Sequence, residues 1–182
     1  MIYNSKVNLI LISGPVKSGK SKWAEKIISQ NKDITYIATH INDNSKEWKI
    51  RLEQHKKRRP KEWHTIETPD IIKVISDIDN SQAILIDSLG GIVSYYIHCE
   101  QNEWNIIKKN IILSLKKYKG FSVIVSEETG WSVSPHTKIG NRFRDRLGEL
   151  TQEIDSISTD SWLVVHGRAI NLNTNSLNIN TY

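Results

Sequence analysis

The sequence predicts an α/β fold, a mainly parallel sheet with helices on both faces. Short apolar runs rich in β-branched residues recur along the 182 residues, and amphipathic stretches separate them. A glycine-rich loop joins the first apolar run to the first amphipathic stretch. Strands that read as continuously apolar are buried on both faces, and alternation with helices is how parallel sheets are connected.

In chain order, VNLILIS (7–13) reads as a buried strand, and a helix follows from about Gly19 to Gln30. ITYIAT (34–39) is a second strand. NSKEWKIRLEQHKKR (44–58) reads as a helix, with Asn44 and Glu47 spaced as a capping pair. AILID (83–87), FSVIVSE (121–127) and SWLVVHG (161–167) read as three more buried strands, with helices near 70–79, 103–118 and 139–156. The Asn-rich end, NLNTNSLNINTY (171–182), reads as a loose tail or a short edge strand. No internal repeat is present, and the length suits one domain over 1–182.

Bulk properties narrow the class. Hydrophobic content of 38% and charged content of 25% are ordinary for a globular chain and argue against disorder. No apolar run approaches the roughly 20 residues that cross a bilayer. The amino-terminal residues run straight into the glycine loop, so they do not read as a cleavable leader. Cys99 is the single cysteine, which excludes an internal disulfide and fits a reducing cytoplasm. The formal charge of +5 is focal: five of the six residues in KKRRPK (56–61) are basic. A focal excess suits a small polyanion at least as well as a nucleic acid. The histidines have no metal-like spacing with cysteine or carboxylates, so no zinc site is expected.

Gly14-Pro15-Val16-Lys17-Ser18-Gly19-Lys20-Ser21 matches G-x-x-x-x-G-K-[ST] and lies between a strand and a helix, the context of a phosphate-binding P-loop. Glycines let the loop wind tightly and turn its N–H groups toward phosphate oxygens, and the helix behind adds its positive end. Lys20 would reach the β- and γ-phosphates, Ser21 would ligate Mg²⁺, and Lys17 is a further phosphate contact. Asp87 closes a buried strand, where a carboxylate can hold the Mg²⁺ water shell; the alternative is that Asp87 or Ser88 caps the next helix.

Trp48, Leu52 and His55 fall on one helical face, and Lys56, Lys57, Arg58 and Arg59 follow directly. His55 is a surface histidine on a solvated basic face, or part of a nucleic-acid patch with Trp48 and Trp63, or a nucleophile acting on a phosphate held by those cations. Neighbouring cations keep an imidazole neutral, hence nucleophilic, and offset charge in the transition state. Periodicity alone leaves the three open.

With both stretches in view, the chain resembles the bifunctional adenosylcobinamide kinase / adenosylcobinamide-phosphate guanylyltransferase family of cobalamin biosynthesis. The collinear match runs from about 8 to 170 through SGPVKSGKSKWAE, YIATH (36–40), RLEQHKKRRPKEWHTIE (51–67), AILIDS (83–88), VIVSEETGWSVSP (123–135) and NRFRDRLGELTQ (141–152). The His-x-x-x-Arg-Pro-x-x-Trp element is more distinctive than the loop. The resemblance places the family's guanylylated histidine on His55. It places the nucleotide contacts on Gly14 to Ser21, on Ala38, Thr39 and His40, on Lys56, Lys57, Arg58 and Arg59, and on Glu67 and Asp87.

It implies a P-loop NTPase-type fold and two reactions. ATP or GTP phosphorylates the hydroxyl of adenosylcobinamide; His55 then attacks the α-phosphate of GTP and passes GMP to the new phosphate. Mg²⁺ is implied with the nucleotide, as is a homo-oligomer, a trimer by resemblance, with no nucleic-acid partner. In-line attack needs reacting atoms within about 3.5 Å, so the His55 helix or the nucleotide is expected to shift between steps. The rival readings are a kinase of another small molecule, a family member retaining one activity, or a non-catalytic nucleotide- or nucleic-acid-binding protein.

The chain departs from the family pattern in places. Asn-Glu-Val-Gly becomes Glu127-Glu128-Thr129-Gly130, Ser132 replaces a later glycine, Asn-Gln becomes Thr151-Gln152, and the last strand ends in His166-Gly167-Arg168. Glu127 adds a negative charge near phosphate, for which Arg142, Arg144 or Arg168 is the expected partner. Arg144 and Asp145 read either as a functional pair or as an ion pair on a helix.

Overall fold

The computed structural model describes residues 8–40, 60–131 and 133–179. The expected helix over 44–58, with His55 to Arg59, therefore lies outside the described residues, as does Ser132. Seven strands form one sheet: β1 (Leu9–Gly14), β2 (Ile34–Ala38), β3 (His64–Glu67), β4 (Ala83–Asp87), β5 (Ser122–Glu127), β6 (Asp160–Val165) and β7 (Arg168–Asn171). Their spatial order is β3-β2-β4-β5-β1-β6-β7, and every pairing is parallel except β6 with β7. Helices are α1 (Lys20–Ile28), α2 (Ile71–Asp77), α3 (Leu89–Tyr95), α4 (Gln101–Lys117), α5 (Lys138–Ile157) and the single turn α6 (Leu172–Asn175).

Handedness decides which face each helix covers. The β1-to-β2 connection runs one way along the sheet, while those from β3 to β4, β4 to β5 and β5 to β6 run the other way. Right-handed crossovers must then put α1 on one face and α2, α4 and α5 on the opposite face. The two cores follow this division. Ala24 and Ile28 of α1 meet Ile12, Tyr36, Leu85 and Val125 on one side. Ile75, Trp104, Ile111, Leu147 and Ile154 meet Leu11, Ile37, Ile86 and Ile124 on the other. Alternate residues of each strand serve alternate faces, as the period of two requires. On the α1 face Trp23 and Trp162 meet edge to face with centroids 5.3 Å apart.

The predicted strands and described helices appear within a few residues of their expected bounds, with instructive exceptions. β6 stops at Val165, and His166-Gly167 forms a two-residue turn with φ of 51° and 73°. Positive φ at both positions is the type I′ geometry that suits hairpin twist. The chain therefore reverses where a continuing strand was expected, and the edge strand lies at Arg168–Asn171, earlier than the Asn-rich stretch. β3 and α3 were not anticipated.

Candidate functional site

The carboxyl ends of β1, β2, β4 and β5 lie side by side at one edge of the sheet, the edge where parallel α/β sheets build their sites. Gly14 ends β1 with φ 151°, Lys17 has φ 58°, and Gly19 begins α1 with φ 104°. These conformations curl the loop into the start of the helix. Gly14 has no alternative: a Cβ there would lie 2.2 Å from the Val164 carbonyl oxygen. One hydrogen bond closes the loop on itself and two tie it to its neighbours. Ser18 N–H donates to Pro15 O at 3.2 Å, Gly167 N–H to Ser18 O at 2.9 Å, and Glu128 N–H to Gly14 O at 2.9 Å. The β6–β7 hairpin turn thus braces the loop from one side and the chain after β5 from the other.

Lys20 is buried, and its Nζ donates to Pro15 O at 2.9 Å, which holds the ammonium inside the curl of the loop. Burial lowers its pKa; the charges of Glu127, Asp87 and Glu128 oppose that shift without cancelling it. The Ser18 hydroxyl is buried with no hydrogen-bond partner among the described residues. An orphaned donor in a glycine-rich loop at a helix start is what an anion with many acceptor oxygens would satisfy. Pro15, Val16, Lys17 and Ser21 sit where the motif puts them, Val16 and Lys17 being exposed.

Asp87 ends β4, in register with Ala38 of β2, and Tyr36 donates its hydroxyl to Asp87 Oδ2 at 2.6 Å. Ser88 occupies the N-cap position of α3, but its side chain makes no capping hydrogen bond. Ala38 pairs in turn with Glu67 at the end of β3. Thr39 is fully buried: its N–H donates to Asp87 O at 3.2 Å, its hydroxyl donates to Ser88 O at 2.5 Å, and it accepts from Ser88 N–H at 2.8 Å. Thr39 therefore clamps β2 to the β4–α3 junction.

Glu127 corrects an expectation. Its partners are not the arginines. Its Oε1 accepts from the Ser88 hydroxyl and lies 3.7 Å from His40 Nε2, while its Oε2 accepts from Gly90 N–H at 2.9 Å. Burial pushes the Glu127 pKa up, but the bonds from His40 and Ser88 and the charge of His40 outweigh it, leaving the carboxyl below its ordinary range. Gly90 and Gly91 make this possible, since a Cβ on Gly90 would lie 2.6 Å from the Glu127 carboxylate and one on Gly91 would lie 2.3 Å from the Thr39 hydroxyl oxygen. Arg142 and Arg144 are occupied elsewhere. Arg142 reaches Ile97 O at 3.3 Å, and Arg144 bonds the Ser134 hydroxyl at 2.7 Å and Asp145 at 3.3 Å, so Arg144 and Asp145 form the ion-pair arrangement.

Glu128 behaves differently from its neighbour. Burial pushes its pKa up, and the Lys20 charge offsets only part of that.

Sequence reasoning missed Arg146. It is buried in the α5 face, stacks over Trp104 at 5.1 Å, and donates to Tyr96 O at 2.9 Å and Cys99 O at 2.8 Å. It secures the turn between α3 and α4. Thr151, at the altered Asn-Gln pair, shares a 2.8 Å hydroxyl contact with Ser126. Among the described residues no cluster of three or more His, Cys, Asp or Glu could hold a metal. None of the described helices is long and apolar enough to cross a membrane.

The chain is similar to known proteins in sequence and, more distantly, in fold. The family model of cobinamide kinase / cobinamide phosphate guanyltransferase matches residues 10–172. The bifunctional adenosylcobalamin biosynthesis protein CobU of Escherichia coli (strain K12) is 27% identical over 181 residues, covering 90% of this chain and 99% of that protein. Its counterpart CobP of Pseudomonas aeruginosa is 30% identical over 148 residues, covering 79% of this chain and 85% of that one. A solved structure from Pyrococcus horikoshii OT3 shares the fold with TM-score 0.56, 10% identity and coverage of 96% and 90%.

Proposed function

The chain belongs to the cobinamide kinase / cobinamide phosphate guanyltransferase family, and from that premise we propose that it phosphorylates adenosylcobinamide with ATP or GTP and then transfers GMP from GTP to the product. The observation that carries the first half is the loop at Gly14–Ser21, with buried Lys20 inside its curl and Asp87 on the strand one place beyond β5. Loop N–H groups, the Ser18 hydroxyl and Lys20 bind the β- and γ-phosphates and offset the charge that spreads over the transferring phosphoryl oxygens.

Ser21 and Asp87 fit Mg²⁺. A hydroxyl and one carboxylate suit a cation that keeps waters and takes its other ligands from phosphate. When bound, Mg²⁺ held by Ser21 and Asp87 would help neutralise the charge of the phosphates. Tyr36 holds the Asp87 carboxylate in place through its hydroxyl. Thr39 keeps Ala38, His40 and the β4 end in one rigid unit, and with Glu67 these form the nucleotide-facing wall in this reading.

The second half rests on His55 with Lys56, Lys57, Arg58 and Arg59, which lie outside the described residues; the family match spans them. His55 attacks the α-phosphorus of GTP, pyrophosphate leaves, and the guanylyl group passes to the acceptor phosphate. Incubation with α-labelled GTP tests this. The protein should acquire an acid-labile, alkali-stable label, absent in His55→Ala. Unlabelled wild-type protein that still phosphorylates cobinamide would reduce the reading to a kinase. In the same reading the protein is a cytoplasmic homo-oligomer, a trimer by resemblance, with small-molecule partners and no nucleic acid. Sedimentation would establish the assembly.

A further inference from the structure

We propose that Glu128 is the general base of the phosphoryl-transfer step, taking the proton from the acceptor hydroxyl as its oxygen attacks the γ-phosphorus. This rests on the kinase half of the proposed function. The neighbouring charged groups Glu127, Asp87 and Lys20 are already engaged. Both Glu127 oxygens accept hydrogen bonds, from Ser88 and Gly90, and His40 lies against the same carboxylate. Asp87 is held by Tyr36. Lys20 is a cation bonded to Pro15 O. Glu128, by contrast, makes no side-chain hydrogen bond or ion pair among the described residues, although it is half-buried.

Its backbone fixes its place. The Glu128 N–H donates to Gly14 O at 2.9 Å, so the residue is anchored to the first position of the phosphate loop, and its carboxylate feels the Lys20 charge. The next residue, Thr129, lines a groove of about 430 Å³ that also meets Ile97, Ile139 and Phe143. The groove therefore opens one residue along the chain from Glu128, and in this proposal the acceptor lies there. Burial raises the proton affinity of this carboxylate, which makes it a better base than an ordinary surface glutamate.

The step balances. The acceptor O–H bond breaks with its proton going to the Glu128 carboxylate. The oxygen forms a bond to the γ-phosphorus, and the bond from that phosphorus to the β-phosphate oxygen breaks. Nucleoside diphosphate leaves, and Glu128 returns its proton to water.

The test compares wild type, Glu128→Gln and Glu128→Ala. Glu128→Gln should lower phosphorylation of adenosylcobinamide by about 10²- to 10⁴-fold, the usual contribution of a general base. Affinity for a non-hydrolysable Mg²⁺–GTP analogue should stay within about threefold, well under the tenfold that 1.4 kcal/mol would produce. Added formate should restore turnover in Glu128→Ala by about tenfold or more, and should leave wild type unchanged, because a small carboxylate replaces the missing base. Loss of analogue affinity in step with turnover would make Glu128 a metal or phosphate ligand and overturn the proposal. A loss of turnover under about tenfold, or no rescue by formate, would overturn it equally. If wild type leaves cobinamide unphosphorylated, the kinase reading fails on its own. Hydrolysis of the γ-phosphate by water in the same three proteins then decides the role of Glu128, because water must lose its proton to the same base.

Discussion

Two walls line the carboxyl edge of the sheet, at β1 and at β2, β4 and β5, and they are held by different physics. The wall at β1 is a matter of backbone. Gly14, Lys17 and Gly19 adopt positive φ, and neighbouring chain segments tie the loop through main-chain bonds to Ser18 O and Gly14 O. The wall at β2, β4 and β5 is a matter of side chains. Thr39, Ser88, Glu127 and His40 hold one another and the Gly90 N–H, across separations of 37 to 49 residues. A backbone wall fails when a Cβ will not fit; a side-chain wall fails when one polar partner is removed and the others are left buried.

The largest effect should come from breaking the first wall. Gly14→Ala combines a strained φ with a Cβ 2.2 Å from Val164 O. Strain of up to about 3 kcal/mol adds to overpacking of about 1–3 kcal/mol, so the variant should lose about 4 kcal/mol of stability in denaturant unfolding. Loss below about 1 kcal/mol would mean that β6 yields easily and that the loop is not braced as described.

Removing Glu127 probes the second wall. Glu127→Ala strips an acceptor from Gly90 N–H and from the Ser88 hydroxyl, and should destabilise by about 2–3 kcal/mol, as expected for bonds to a charged group. The pH dependence sharpens the contrast with Glu128. Glu127 sits below its ordinary value of 4.5 in the folded chain. Its contribution is complete above that value and is lost as pH falls through the lower folded pKa. Glu128 sits above 4.5. Stability it contributes in acid is lost as pH rises from 4.5 through the higher folded pKa. Urea midpoints followed against pH should therefore lose their acid-side slope in Glu127→Gln, and rise modestly above the folded pKa in Glu128→Gln. Identical profiles for the two variants would mean that the adjacent carboxylates share one environment.

The same contrast governs what could be read from the chain itself. The backbone wall is eight contiguous residues with fixed requirements, so a local motif reveals it. The side-chain wall assembles distant residues, and no spacing announces that Glu127 meets His40 and Ser88 rather than an arginine. Resemblance marked Thr39 and His40, but it could not give their bonds. α3 escaped notice because Gly90 and Gly91 are poor helix formers, kept here by the close approach of Thr39 and Glu127. β3 escaped because its four residues are mostly exposed and show one apolar side chain. Arg146 was indistinguishable from Arg142 and Arg144 by charge; only the α5 spacing shared with Leu147, Leu150 and Ile154 put it on the buried face.

The smallest effect belongs to the hairpin that braces the backbone wall. His166 holds φ 51°, which crowds a Cβ and costs an ordinary residue about 1–2 kcal/mol. Glycine removes that cost but loses about 0.5–1 kcal/mol in chain entropy, so His166→Gly should gain about 0.5–1 kcal/mol in thermal unfolding. The ring is exposed, so little packing is forfeited. Because Gly167 N–H holds Ser18 O at 2.9 Å, a better-formed turn should also hold the loop at least as firmly, and analogue affinity should not fall. Destabilisation instead would show that the His166 side chain makes a contact worth more than its strained backbone, and that the brace depends on side chains after all.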